Sequence, residues 1–206
     1  MKKLIILAIG YCLITSYVFA QNLLTQSDVK EQKFGKLILY KDNSNNLLNG
    51  HYRISDTRGN FIDVHFNDGK KNGTQTDYDY KERKLCEKSF KNGKTHGKYQ
   101  RYHQNGKLSV EGEFVNGLQE GKWKYYDDKG ELKVREFYKA GKADGKWWAK
   151  GKSTNNAIVY ITENYKNGEH HGRSEQKNDD GKIDWEREYT NDGSYRHRGY
   201  YPNGKL

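Results

Sequence analysis

The chain has 206 residues, with 37 Lys or Arg against 27 Asp or Glu for a net charge of +10, and only 33% of it is apolar. That share is below the usual globular range of about 45–50% counted with glycine, which excludes a thick aliphatic core. Two cysteines and one proline exclude a disulfide framework and a proline-rich linker. The 17 tyrosines and 22 glycines fill the gap, and because disordered segments are poor in aromatics, the composition points to a thin, tyrosine-rich sheet with both faces partly wet.

The N-terminus opens Met1-Lys2-Lys3, runs through apolar Leu4 to Ile9, and ends in Val18-Phe19-Ala20 before Gln21. A charged start, an apolar stretch and a small residue at the end predict a secretory signal over residues 1–20, cleaved after Ala20. A membrane anchor is the alternative, but Gly10, Thr15 and Ser16 interrupt a stretch short of the ~20 residues a span needs. Cys12 follows Tyr11, where a lipoprotein cysteine wants a small residue. The expected location is therefore secreted, periplasmic or at the cell envelope, with no transmembrane segment after cleavage. Loss of Lys2 and Lys3 leaves 35 basic and 27 acidic residues, a net +8, with Cys86 as the remaining cysteine.

Residues 21–33 lack glycine and read as a leader, helical or flexible. A degenerate first unit covers 34–58, where Leu37 and Leu39 alternate with Ile38 and Tyr40. Further units fall near 59–82, 83–105, 106–129, 130–156, 157–180 and 181–206. Their mark is a pair of glycines four apart: Gly69/Gly73, Gly93/Gly97, Gly117/Gly121, Gly141/Gly145 and Gly168/Gly172, whose first members advance by 24, 24, 24 and 27 residues. An aromatic stands three residues before each pair, at Phe66, Phe90, Phe114, Tyr138 and Tyr165. A fixed period of this size means a repeat array.

Within a unit the pattern has period two. Leu108, Val110 and Phe114 fall on one side and Ser109, Glu111 and Glu113 on the other; after the glycines, Trp123 and Tyr125 alternate with Lys122 and Lys124. Eleven Asn-Gly or Asp-Gly dipeptides, at Asn49, Asp68, Asn72, Asn92, Asn105, Asn116, Asp144, Asn167, Asp180, Asp192 and Asn203, signal tight hairpins. The unit is too short for a propeller blade of ~40–45 residues. The expected fold is all-β: an elongated, twisted antiparallel meander of about six ~24-residue hairpins. Lys150–Tyr160 carries three extra residues, and a bulging loop is expected there.

The segments Tyr102-His103-Gln104-Asn105-Gly106-Lys107-Leu108, Glu111-Gly112-Glu113-Phe114-Val115-Asn116-Gly117 and Glu120-Gly121-Lys122-Trp123-Lys124-Tyr125-Tyr126 resemble MORN (membrane occupation and recognition nexus) repeats in their bacterial variant-2 form, over roughly residues 47–206. The resemblance implies a binding module, often of the YwqK-type antitoxin kind, and supplies no catalytic residue.

The first residue after each second glycine is Lys98, Lys122, Lys146 or Arg173. These cations are expected on the face opposite Tyr99, Trp123 and Trp147, as a ladder suited to acidic partners, anionic lipid or acidic glycans; a solubilising strand face gives the same pattern. Trp147 and Trp148 are candidate anchors for a partner, against cross-strand packing as the alternative. His170-His171 has the look of a metal pair, but neighbouring strand residues point to opposite faces, so turn decoration is the simpler reading and no metal or cofactor is expected. No nucleophile elbow, zincin motif or phosphate loop occurs. The resulting expectation is a non-enzymatic scaffold that binds a macromolecule, a protein first of all, with toxin neutralisation or envelope lipid or glycan binding as alternatives and no nucleic acid.

Overall fold

The computed structural model describes residues 22–190 and 192–200. The expected signal at 1–20 and the closing Tyr201-Pro202-Asn203-Gly204 lie outside the described residues. The strands are β1 (Asn22–Thr25), β2 (Lys30–Phe34), β3 (Leu37–Lys41), β4 (Gly50–Ser55), β5 (Phe61–Asn67), β6 (Lys70–Tyr78), β7 (Lys84–Lys91), β8 (Lys94–Tyr102) and β9 (Leu108–Val115). They continue as β10 (Leu118–Tyr126), β11 (Leu132–Lys139), β12 (Lys142–Ala143), β13 (Gly145–Lys152), β14 (Ile158–Lys166), β15 (Glu169–His170), β16 (Gly172–Asn178), β17 (Ile183–Tyr189) and β18 (Tyr195–Gly199).

From β4 to β18 each strand pairs with its neighbour in chain order, β12 and β15 being short pieces at hairpin ends. The antiparallel meander expected from the repeat is therefore the fold. One pair departs from it: β1 lies parallel to β4. The leader, expected to be helical or flexible, is instead β1, a 3-10 turn at Gln26–Asp28 and β2, which pairs with β3 as a separate two-stranded sheet. Its Leu24 and Val29 pack on the cluster of Leu48, Ile54, Val64 and Phe66, and this apolar anchorage orders a stretch that has no repeat pattern of its own.

Two turn types alternate. At the first glycine of each pair the two central residues both have positive φ, for example 53° at Asn116 and 87° at Gly117, the backbone of a tight hairpin turn whose twist matches the strands. Ala140 occupies this site with φ 49°, a conformation costly for a residue with Cβ. Not every Asn-Gly or Asp-Gly is such a turn. Gly50, Gly73 and Gly145 instead open or interrupt strands, where they lie directly across from Phe66, Phe90 and Tyr165. Gly97, Gly121 and Gly172 face Phe114, Tyr138 and Tyr189 in the same way. An added Cβ at these glycines would not reach the facing aromatic; what sets them apart is a positive φ, from 65° at Gly121 to 107° at Gly145, a strand conformation that favours glycine.

The other ends of the hairpins close by a five-residue turn in which the first residue's N–H donates to the fifth carbonyl, as in Asp56 to Asn60, Asp127 to Glu131 and Asn178 to Lys182. The first side chain caps it: Asp127 Oδ1 accepts from the N–H groups of Lys129 and Glu131 at 3.0 and 2.8 Å, and Asp56 does the same for Arg58 and Asn60. The ionised carboxylate makes these bonds stronger than a neutral acceptor does, although the Asn178 amide oxygen serves in the same place. The side chains of Asn46 and Asn60 hold Asp42 and Asp56 below the ordinary carboxylate range, and the Glu131 N–H does so for Asp127. The Thr190 hydroxyl pushes Asp192 down to about 2. Because the folded-state values are depressed, this contribution to stability is fully present above the unfolded value of about 3.9 and is lost as pH falls through the folded values. Thermal melts should therefore hold steady from about pH 7 to 5 as far as these groups are concerned and drop steeply from about 4 towards 2. Asp127→Asn, which mimics the cap at Asn178, should shallow that drop.

On one face the aromatics form an unbroken spine. Tyr99, Phe114, Trp123, Tyr138, Trp147, Tyr165, His170, Tyr189 and Tyr195 follow one another with ring centroids 4.5–6.3 Å apart. Each such pair contributes about 0.5–1.5 kcal/mol beyond the area it buries. The core is thus one side chain thick, which is how a chain poor in aliphatics holds its sheet. Trp123 is the most buried member, at 3% exposure, and it lies on Gly112: a Cβ there would stand 2.3 Å from the indole.

The expected loop around residues 150–160 does not bulge. Ser153 to Ala157 is the same five-residue turn as elsewhere, with Asn156 at φ 65° in the place of the usual glycine. The extra residues lengthen the strands: β13 and β14 pair without interruption from Gly145–Tyr165 to Lys152–Ile158. The corresponding hairpins β8–β9 and β10–β11 each carry a register shift before their turn. The insertion has replaced a bulge by regular ladder.

Candidate functional site

The face opposite the aromatic spine is charged. Lys98, Lys122, Lys146 and Arg173 all lie there and are exposed, on the side expected. The strands between them interrupt the ladder, since the cross-strand partners are Glu113, Phe137, Asn164 and Glu188. Arg173 is engaged by Glu186 at 2.8 Å and Glu175 at 3.2 Å. Lys122 sits 5.6 Å over the Phe137 ring. Lys98, Lys122 and Lys146 make no ion pair within 4 Å among the described residues.

Neighbouring rows of this face are better matched. Arg53 donates to both carboxylate oxygens of Asp63 at 2.8 Å. Glu111 Oε1 accepts from Lys124 at 2.7 Å and from the Tyr126 hydroxyl at 2.8 Å, and the Lys124 bond in particular holds the Glu111 carboxyl below its ordinary range. Such half-exposed pairs are worth about 0–1 kcal/mol each, enough to tie rows together but not to carry the fold.

The two tryptophans separate. Trp147 belongs to the spine, between Tyr138 and Tyr165, and its Nε1 donates to the Phe137 carbonyl at 3.0 Å. Trp148 is on the charged face, half-buried, stacked on Tyr160 at 6.2 Å and paired across strands with Arg135 and Thr162. Both are half-buried, and Trp148 is the one that stands among the cations. His170 is no metal ligand partner for His171: its ring is stacked between Tyr165 and Tyr189 at 4.5 and 4.7 Å. No group of three or more metal-capable side chains occurs among the described residues.

A second feature was missed in the sequence. Where the β2–β3 hairpin covers the first strands, a cavity of about 650 Å³ opens between it and β4–β6, lined by Val29, Tyr40, Ile54, Ile62, Phe66 and Lys71 among others. Burial pushes the Tyr40 hydroxyl up to about 12 and the Lys71 ammonium down to about 8. Lys71 stands two residues after the first glycine, where the other units have Thr95, Gln119, Ala143 and His170. Comparing copies at that site picks it out as the lysine among them.

No helix among the described residues is long and apolar enough to cross a membrane. No curated protein matches the chain. A solved structure of the alternansucrase ASR in complex with isomaltononaose aligns with 82% of this chain and 18% of its own, at 13% identity and a TM-score of 0.14, so this chain spans less than a fifth of that protein and the likeness bears on neither fold nor site. The MORN repeat variant model matches residues 95–116 and 119–140, the units that hold Gly97, Phe114, Gly121 and Trp123. With these two matched copies set in a sheet of similar hairpins, the chain carries MORN repeats over residues 95–140.

Proposed function

We propose that the protein is an exported, non-enzymatic scaffold whose charged face binds another protein. The observation that carries this reading is that one uncovered face holds both the Trp148–Tyr160 stack and the exposed Lys98, Lys122 and Lys146, set on every second strand. Tryptophan and tyrosine on such a surface are the residue types that dominate protein interfaces, while the cations select an acidic partner and speed encounter. Export rests on the N-terminal segment alone. Toxin neutralisation, suggested by the resemblance to YwqK-type antitoxins, is one form this binding takes.

The test is affinity capture from envelope extract with the wild-type chain and with Trp148→Ala. Support would be an acidic protein retained by the first and lost by the second while circular dichroism stays unchanged. Equal retention by both would sink the assignment to this face.

A second reading is favoured by the unpaired Lys98, Lys122 and Lys146: adsorption to anionic lipid or glycan through charge. Attraction of that kind is screened over about 8–10 Å at physiological salt. Vesicles with anionic lipid should then release the protein between low and high salt, and Lys98→Glu, Lys122→Glu and Lys146→Glu together should abolish binding. Indifference to both would leave the protein-binding reading alone.

A further inference from the structure

We propose that the cavity beneath the β2–β3 hairpin is a binding site for a small amphipathic carboxylate, its charged group on Lys71 and its apolar body on Val29, Ile54, Ile62 and Phe66. This is a different site from the charged face and does not rest on the protein-binding reading.

The volume, about 650 Å³, is that of a small-molecule pocket. Its floor belongs to the best-buried apolar cluster of the described chain, with Phe66 at 1% exposure and Ile54 at 9%, continued by Ile62 and Val29. In that wall stands an ammonium with no carboxylate in contact: the Lys71 Nζ makes no hydrogen bond and no ion pair within 4 Å among the described residues, Asp77 and Glu31 acting on it only from farther off, and it lies 5.0 Å over the Tyr40 ring and 5.5 Å over that of Phe90. A half-buried charge without a partner is costly, and two ring faces recover only part of what water gave it. An anion arriving in the cavity supplies the missing partner.

The acids around the cavity decide which anion. Asp56 is occupied by the Arg58 and Asn60 N–H groups and the Asn60 amide. Asp77 accepts from Lys88 at 3.2 Å and Gln75 at 2.5 Å. Glu31, exposed at the rim on β2, has neither bond nor ion pair among the described residues. One free cation beside free Glu31 and paired Asp77 suits a single negative charge, whereas a phosphate monoester, at about −1.5 to −2, would meet uncompensated repulsion. The absence of an arginine fork in the cavity lining agrees with a monoanion held by a point charge. The apolar lining selects a ligand with a hydrocarbon body.

The charged form of Lys71 is set by its surroundings. Burial and Lys88 on β7 lower it, Asp77 on its own strand and Glu31 on β2 raise it, and Tyr40 on β3, itself neutral up to about 12, leaves it unaided; the result is about 8. Carboxylate affinity should therefore be level between about pH 6 and 7, fall as pH rises through about 8, and fall again below about 5 where the ligand itself protonates.

The experiment is calorimetric titration of the purified protein with decanoate, and with decanol and decyltrimethylammonium as uncharged and cationic matches. Decanoate should bind and the other two should bind far more weakly. Lys71→Met, close in volume, should weaken decanoate about tenfold or more while the melting temperature holds or rises, because an uncompensated charge has been removed. Glu31→Gln should tighten binding. The proposal is overturned if decanoate does not bind, if decanol or the cationic amphiphile binds as well, or if Lys71→Met leaves affinity unchanged. Should Lys71→Met fail to fold, the pH profile and Glu31→Gln decide in the same sense: a flat profile with no tightening overturns it.

Discussion

Trp123→Ala should cost about 3–5 kcal/mol, the range for removing a large aromatic from a packed core, measured as a loss of unfolding free energy in denaturant. The indole is 3% exposed and touches Tyr99 at 5.4 Å, Phe114 at 5.0 Å and Tyr138 at 6.3 Å. It therefore joins strands β8, β9 and β11 through one ring. Its Nε1 has no hydrogen-bond partner among the described residues, so lost packing rather than a lost hydrogen bond sets the cost. Trp123→Phe keeps most of the contact and removes an unsatisfied donor, and it should be far milder. Because a repeat array is held by contacts between neighbours, amide exchange in Trp123→Ala should quicken first in β8–β11 and last in β4–β6. Uniform quickening along the sheet would contradict a core built from neighbour contacts.

Gly112→Ala should be the second most damaging change, although it adds one methyl group. The new Cβ would stand 2.3 Å from indole Cδ2 and 2.4 Å from Cε2, far inside contact distance. A flexible side chain could turn away, but Trp123 is penned by Phe114, Tyr99 and Tyr138. Overpacking of this kind costs about 1–3 kcal/mol. Gly112 has no positive φ, so backbone strain contributes nothing and the clash is the whole effect. The check is a double mutant: Trp123→Leu in the Gly112→Ala background should lose less than the sum of the two single changes. Full additivity would place the damage elsewhere.

The repeat itself was legible because its parts are local. Asn92-Gly93 and Asn116-Gly117 encode their turns in two residues, and the alternation around Trp123 encodes which side packs. The cationic side of Lys98, Lys122, Lys146 and Arg173 followed from the same alternation. What was hidden depends on partners distant in sequence. Gly73 looks like a turn residue beside Asn72 and is instead a strand residue with φ 82°, across from Phe90. Trp147 and Trp148 are adjacent, and only the pairing with Glu163 and Thr162 shows one in the spine and the other among the charges. Residues 21–33 carry no periodicity, so nothing in them announced that Leu24 and Val29 would be pinned to the cluster of Leu48, Ile54, Val64 and Phe66, 19 or more residues on. Lys71 reads as an ordinary surface lysine until β3 is laid over it.

The hairpin β13–β14 shows how such a chain tolerates change in length. A strand alternates sides residue by residue, so one extra residue ordinarily turns every following side chain to the wrong face. Measured from glycine to positive-φ turn residue, Gly145 to Asn156 is two residues longer than Gly121 to Gly130, and Asn156 to Gly168 one longer than Gly130 to Gly141. The pair of residues preserves parity by itself. The single one preserves it by consuming the bulge that its sister hairpins carry. Length variation in this architecture is thus quantised: whole units, even steps, or an odd step set against one bulge. A single-residue deletion within Ile158–Lys166 restores no bulge at a chosen place, and it should send Ile161 and Glu163 to exchange faces with Tyr160 and Thr162.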